Sequence, residues 1–567
     1  MLALTILLAL LPLLAIYLWQ WLRYLRFHQH AAWPQLPPSL VWGHMKALNE
    51  FVSRGERRRH VDRVFGEVQQ SLGNPPLYLL DLRPVVGVLG IVCSHEVAEQ
   101  VSRSTKGFPY SMRKSPTMKP LEPLLGPHSV ITAEGEQWKA LRKRYNPGFA
   151  PQHLLTLLPC IIDKAWIFIQ CLDEYARTGE EFSLEDRCTS LTLDIIGRAA
   201  TMDTDLHAQL PTHQQSQLAR LYRQLLASYR RDSNVSKFRL TWLLAPFILL
   251  RRRYLVRQID ALLQAHIETK FAELRTRTTA TTTATADRNP SSSRSVLALS
   301  LHDTDHLTPQ TIRETADQLK SFLFAGHDTT SILLQWTFYE LSRTPRVLKA
   351  VRRELDAIFG KETAASPTKV AEMLRARGDE YLSQMTYTAA VIKEVLRLHP
   401  PSGSARYMPP GTGFTVTLPD GRTMCLDGVV IYNCATLVQR DEAVYGPTKD
   451  EFWPERWLAG SADGDDDDDD AGGNAEQIPV SAWRPFERGP RNCIGQGLVN
   501  IEVRVILACT VRRFDFEKVG LGAVVRDAGG RPVLDAKGQF EVLEELFNTM
   551  QVTAKPVDGT RMKVRFA

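Results

Sequence analysis

No two of the eight cysteines stand in a C-x-x-C pair, and their spacing gives no disulfide framework in a chain of 567 residues. That points to a reducing compartment. Four zinc ligands at finger-like spacing are also lacking, which argues against a structural zinc site. No complete G-x-G-x-x-G or G-x-x-x-x-G-K-[ST] occurs, so the chain carries neither a dinucleotide fingerprint nor a phosphate loop. There is no repeat of fixed period. Charge is missing altogether from Leu2 to Leu22.

That uncharged run matches the ~20 residues a helix needs to cross a bilayer. A cleaved signal peptide wants a basic region ahead of a shorter apolar core. Here no Lys or Arg precedes the run, whereas Arg23 and Arg26 follow it. By the positive-inside rule the bulk of the chain then stays cytoplasmic, and Trp19, Trp21 and Tyr24 fit an interfacial belt. The expected organisation is a transmembrane signal anchor over 1–22, a basic, proline-rich linker over 23–45 with Pro34, Pro37 and Pro38, and one body over 46–567.

What is present is an ordinary globular composition, 44% hydrophobic and 23% charged, enough for a sizeable core. The net charge is +6, yet Asp463 and Asp465 to Asp470 put seven negatives in one stretch, so the remainder carries +13. A basic surface of this kind suits an acidic protein partner or an anionic membrane and does not by itself argue for nucleic acid.

Apolar residues recur at helical spacing in 151–175, 213–231, 254–275, 309–344, 346–359 and 384–398. Strand-like runs are fewer: 77–93, 412–433 and 550–565. The expectation is a mainly α fold with a minor β portion. Residues 276–295 and 459–478 are low-complexity and read as solvated loop insertions. The apolar stretch Trp242 to Leu250, with Arg251 to Arg253 after it, is too short to span a membrane; core and bilayer-surface contact are both open. The sequon at Asn234 would matter only in a lumen.

Four constellations point to chemistry. In FERGPRNCIG (486–495) glycines flank Cys493 and Arg491 lies two residues away. Cysteine is commonly a buried core residue. Alternatively the glycines let something flat approach, Arg491 meets a carboxylate on the same ligand, and amides of the following helix favour a thiolate. An iron porphyrin has both features, a metal that takes an axial thiolate and propionates at its edge. In KEVLRLHPP, Glu394 and Arg397 share a helix face amid apolar residues, so the pair reads as partly buried and in need of further partners. FLFAGHDTTS (322–331) lies in a long apolar helix. Ala325 and Gly326 leave its face bare, either for a ligand or for a neighbouring helix, and Thr329 is placed to bond a carbonyl one turn earlier. In WKALR, Trp138 and Arg142 stand one above the other on a helix.

These motifs together resemble the cytochrome P-450 monooxygenases, membrane-anchored fungal microsomal members in particular. FERGPRNCIG is similar to the family's haem-binding signature at Phe486, Gly489, Arg491, Cys493 and Gly495, with Val499 where alanine is usual. The resemblance implies a single large P-450 fold holding haem b (iron protoporphyrin IX), with Cys493 as axial iron ligand. Glu394, Arg397 and, in FWPERW, Arg456 would be a structural triad performing no chemistry. Ala325, Gly326, Asp328, Thr329 and Thr330 match the oxygen-activation motif. By that likeness Thr329 orients a proton-donating water and Asp328 feeds protons, while His327 is simply a polar helix residue. Trp138 and Arg142 would reach a haem propionate, with Arg406 in SARYMPP and Arg491 beside them. Gln439 in VQRD stands where many relatives have histidine.

The implied reaction inserts one atom of O2 into a lipophilic substrate, by hydroxylation, epoxidation or multi-step oxidation, with secondary metabolism as the expected setting. No nucleotide motif and no spare length remain for a flavin domain, so electrons come from NADPH through a partner cytochrome P-450 reductase, with cytochrome b5 as a second donor. The implied location is the endoplasmic reticulum membrane, single-pass, with a monomeric catalytic domain facing the cytosol and no nucleic-acid partner. Substrate contacts fall by resemblance near 105–130, 206–245, 322–330, 402–408 and 544–551. The rivals are a fatty-acid or sterol hydroxylase, a haem-thiolate isomerase or dehydratase, and a non-catalytic haem sensor.

Overall fold

The computed structural model describes residues 2–198, 203–230, 245–281, 295–302, 304–458 and 478–567. Asn234, Trp242 to Leu244 and most of both expected insertions lie outside them. Helices dominate and strands are few, as expected. The chain forms two compact units. One comprises 1–117, 403–449 and 478–492; the other comprises 118–402, 450–477 and 493–567.

The first unit is built on a five-stranded sheet in the order Leu77–Asp81, Val88–Val92, Val430–Asn433, Ser404–Tyr407, Arg113–Lys114. Only the pairing of Val88–Val92 with Val430–Asn433 is parallel. Strand Leu77–Asp81 is buried on both faces, and its period of two shows how. Leu77 and Leu79 enter one apolar cluster with Trp33, Val97 and Ile431. Tyr78 and Leu80 enter the other with Leu36, Phe65 and Ile91. Trp33 and Leu36 therefore hold the expected linker against the sheet, and the Leu79 amide donates to the Pro34 carbonyl at 2.9 Å. Far from a free spacer, this stretch is part of the unit.

Helix Leu2–Arg23 precedes it, with Pro12 inside. The expected membrane-spanning anchor falls partly on side chains outside the described residues, and among the described residues no helix is long and apolar enough to cross a membrane. The side chains described in this helix begin at Leu10, and Leu10, Leu13, Ile16, Trp19 and Trp21 are exposed. Arg26, expected as a flanking charge, is buried instead and pairs with Asp81 at 2.6 Å.

The second unit is helical around Pro309–Arg343, which packs on helices Leu184–Ile195, Ala245–Thr281 and Thr386–Leu398 and on strand Phe514–Lys518. Its start is set locally: the Thr308 side chain accepts from the Thr311 amide and Pro309 occupies the first turn. From Thr315 to Phe324 and from Thr330 to Leu341 every side chain is buried, polar ones such as Asp317, Gln318, Lys320, Gln335 and Glu340 included. Strand Arg561–Phe566 pairs with both Phe182–Ser183 and Phe514–Lys518. Helix Ala245–Thr281 runs past Thr276 into the stretch expected as loop. Its Phe247, Leu249 and Leu250 are exposed, so the described part of the 242–253 segment is not core, whereas Arg252 is buried with its guanidinium over the Tyr229 ring.

Candidate active site

The resemblance implies Cys493 as axial ligand, and the cysteines differ sharply in burial. Burial pushes the thiols of Cys93, Cys188 and Cys434 well up, that of Cys509 to about 12 and that of Cys160 to about 11. A thiol held neutral in this way is a poor metal donor. Cys493 is exposed and lies three residues before helix Gln496–Thr510, whose N-terminal amides favour negative charge at that end. Gly495 keeps ordinary negative φ, and a Cβ there would stand 3.8 Å from the Cys493 sulfur. The glycine thus leaves the sulfur uncovered and is not required by the backbone. Arg142 of helix Gly135–Tyr145 feels the same sulfur: burial lowers its basicity and the Cys493 charge works against that. Trp138 and Arg142 line one hollow of 620 Å³ together with Lys139 and Lys143, as their spacing of four predicts.

Ahead of the cysteine, the loop is fixed within the first unit by residues to which the sequence reading gives no role. Arg484 is the hub. It donates to Glu99 at 2.7 Å, to Ser102 Oγ at 2.8 Å and to Glu487 at 2.5 Å, and its own amide donates to Gln439 Oε1 at 2.8 Å. Gln439 is therefore a loop support. Burial pushes the Glu487 carboxyl up, but the Arg484 and Arg406 charges outweigh it and hold the group below its ordinary range. Phe486 stacks edge-on against Trp483 at 5.8 Å. Gly489 sits at φ +75°, and a Cβ on it would lie 2.1 Å from the Ser102 carbonyl oxygen, a backbone atom with no freedom to move aside. Gly489→Ala is expected to destabilise the protein by about 1–3 kcal/mol through backbone strain. A thermal melt alongside the fraction of haem-loaded protein checks this.

Arg406 and Arg491 are both buried. Arg406 donates to Ser404 Oγ at 3.1 Å and the Met112 carbonyl at 3.4 Å. A porphyrin asks of a protein one axial donor and cations for two propionates. Within the second unit, an exposed thiol at a helix start with Arg142 near it has the chemistry of the donor and of one such cation.

The triad is assembled as expected and goes further. Glu394 and Arg397 are fully buried and meet in bidentate fashion, Nε to Oε2 at 2.9 Å and Nη2 to Oε1 at 2.8 Å. Arg456 Nε donates to Oε1 at 3.0 Å, as do the Trp453 amide at 3.0 Å and the Trp457 indole, to Oε2, at 2.9 Å. Arg397 in turn donates to the Glu451 carbonyl at 2.9 Å.

On the long helix, Thr329 Oγ1 donates to the Ala325 carbonyl at 2.7 Å, the bond back along the helix that the sequence predicts. Gly326 does not leave a bare face. A Cβ there would stand 2.6 Å from Ile196 Cγ1, so the position serves close helix packing. Asp328 and His327 are both buried. Asp328 pairs with Lys555 at 2.5 Å and accepts a short hydrogen bond from Thr553. Burial pushes its carboxyl up, yet Lys555 and His327 outweigh this and hold it below the usual range. Lys555, on strand Ala554–Pro556, is invisible to a local motif.

The cytochrome P450 family model matches residues 34–526, so the chain belongs to the cytochrome P450 family. It is 32% identical over 506 residues to "Cytochrome P450 monooxygenase acrF" of Aspergillus aculeatus, covering 86% of this chain and 94% of that one. It is 26% identical to "Cytochrome P450 monooxygenase polC" of Polytolypa hystricis, covering 87% and 83%. Part of it, 45%, is 31% identical to 20% of a "Bifunctional cytochrome P450/NADPH--P450 reductase" of Gibberella moniliformis. The fold matches the crystal structure of the cytochrome P450 CYP102L1 with TM-score 0.68 at 17% identity, covering 94% of this chain and 99% of that one. The protein is a P450 monooxygenase, an oxidoreductase of a family that uses haem iron, O2 and NADPH-derived electrons delivered through a reductase.

Proposed function

We propose that this P450 oxidises a lipophilic substrate in secondary metabolism, with Cys493 as axial ligand, Arg142, Arg406 and Arg491 for the propionates, and Asp328 and Thr329 as the proton-handling pair. The bound haem supplies oxygen activation and insertion. The residues supply position, dryness and protons. The observation that carries the reading is the Asp328–Thr329 arrangement. A buried carboxylate kept charged by Lys555 lies next to a threonine whose hydroxyl is oriented by its bond to Ala325. An isomerase or dehydratase that uses no external oxygen has no need of such a pair, and neither has a haem sensor. The expected substrate segments are largely apolar in sequence, which favours an apolar ligand.

The uncharged run from Leu2 to Leu22 supports attachment to the endoplasmic reticulum membrane with the body on the cytosolic side. Exposed Lys139 and Lys143 suit docking of an acidic reductase. With a P450 reductase, Thr329→Ala is expected to raise the peroxide released per NADPH severalfold while the ferrous carbon monoxide spectrum stays unchanged. An unchanged peroxide yield would remove the proton-handling role. Product analysis after feeding a polyketide, a fatty acid and a sterol separates the substrate classes.

A further inference from the structure

Helix Gly135–Tyr145, which carries Trp138 and Arg142, is tied to the long helix at both ends. Ahead of it, the loop from Gly126 rests on Asp317, Gln318 and Ser321. Gln318 is completely buried and meets the loop as a neighbouring strand would. Its Oε1 accepts from the Val130 amide at 2.8 Å and its Nε2 donates to the His128 carbonyl at 2.5 Å. Asp317 Oδ2 accepts from the His128 amide at 3.1 Å and from His128 Nδ1 at 3.0 Å. Ser321 Oγ donates to the Leu125 carbonyl at 2.8 Å. Gly126 turns at φ +85°, where a Cβ would overlap the Asp317 carboxylate. At the far end, Tyr145 and Phe149 each meet the Phe322 ring at 5.3 Å. Ser321 and Phe322 stand three and four residues after Gln318, so one stripe of the long helix serves both ends.

We propose that Gln318 and Asp317 are positioning residues for haem retention, a latch that fixes the start of helix Gly135–Tyr145 and thereby the place of Arg142. The inference rests on the propionate role given to Arg142 above. A buried glutamine is costly unless both ends of its amide are met, and here the loop backbone meets both. Packing alone would favour an apolar side chain at this position. Asp317 cannot swing away from the loop, because its other oxygen is held by Lys320 at 3.0 Å. Lys320 in turn reaches Asp260 of helix Ala245–Thr281 at 2.7 Å, so the latch is braced from a third element. Val130 lies only five residues ahead of Gly135, which leaves the chain little slack between latch and helix. Without the latch the aromatic contact at Phe322 still holds the far end, and the near end, with Trp138 and Arg142, is free to shift.

The test uses the full-length haem-loaded protein and reads the rate of haem transfer to excess apomyoglobin, next to the melting temperature. Gln318→Met keeps the length of the side chain but leaves the Val130 amide and the His128 carbonyl unpaired. Haem release is expected to quicken about tenfold, the scale of one buried hydrogen bond lost. Gln335→Met is the stability control: on the same helix it removes a buried amide bonded to Thr560 and Ser331. It is expected to lower the melting temperature to a similar extent with haem release unchanged. Equal release from both variants would reduce Gln318 to a general structural role and overturn the proposal. Arg142→Met is expected to quicken release by itself, and adding Gln318→Met to it brings no further change, because the latch acts through Arg142. A further increase in the double variant would overturn that route. If Arg142→Met quickens release and Gln318→Met does not, the latch is wrong and the propionate role stands. If Arg142→Met changes nothing, that role falls and the latch with it. Should Gln318→Met fail to load haem, His128→Ala, at a partly exposed side chain, decides: faster release supports the latch and an unchanged rate overturns it.

Discussion

Glu394→Gln is expected to leave most of the protein without a stable fold. The carboxylate is fully buried and takes five hydrogen bonds, two from Arg397 and one each from Arg456, the Trp453 amide and the Trp457 indole. Glutamine keeps the shape but removes the charge that two buried guanidinium groups face, and its amide hydrogens point at donors. Removing one partner from a buried ion pair costs about 3–5 kcal/mol because the other charge stays desolvated. That is a large share of the ~5–15 kcal/mol by which a domain is stable. Low yield, a lowered melting temperature and little haem uptake are the measurements. Arg397→Met is expected to behave alike. Replacing both, Glu394→Leu with Arg397→Met, leaves Arg456 as the stranded charge and is expected to cost less than the two single losses added. A triad with a purely structural role predicts that whatever folded Glu394→Gln can be isolated releases the same peroxide per NADPH as the parent; altered peroxide yield in folded protein would contradict that role.

The triad also shows how far local spacing reaches. Glu394 and Arg397 are three apart on one helix, so their pairing is written in the chain, and Arg456 follows from the family motif. The indole and the two backbone groups that complete the set depend on how segment 451–457 lies against helix Thr386–Leu398, which no periodicity encodes. Gly326 is the converse case. A missing side chain signals a close approach, but only the fold says that Ile196 fills the space. Lys555, held in a local hairpin with Asn548–Met550, becomes the partner of Asp328 far away in sequence. Other features are visible on the surface of the sequence. Strand Phe514–Lys518 lies outside the expected strands although FDFEK alternates with period two. Helix Pro367–Gln384 lies outside the expected helices because Gly378 and a run of charges blur its apolar stripe, and the backbone breaks there, at Arg377. Arg484 and Glu487, three apart just ahead of the cysteine motif, carry the same kind of paired-charge signal as Glu394 and Arg397, without a helix to frame it.

Cys493→Ala is expected to abolish turnover and to remove the thiolate-shifted Soret band of the reduced carbon monoxide complex, while leaving a folded protein. The exposed Cys493 side chain carries none of the apolar packing in this unit, so its truncation opens no core cavity and the melting temperature of the polypeptide should change little. What is lost is the anionic donor. Five other cysteines are held as neutral thiols by burial and offer no substitute. Cys425 is the one further exposed cysteine among the described residues; it lies on the hairpin strand Thr423–Cys425, with no helix terminus to favour a negative sulfur. Cys425→Ala is therefore the control, expected to keep both spectrum and activity. Cys493→Ser tests the softness of the donor, since an alkoxide is far harder to form than a thiolate and less suited to iron. It should lose the shifted band as completely as alanine does. A thiolate-type spectrum surviving in Cys493→Ala would move the ligand to another sulfur, and with it the whole assignment of Arg142 and the helix Gln496–Thr510 to the haem site.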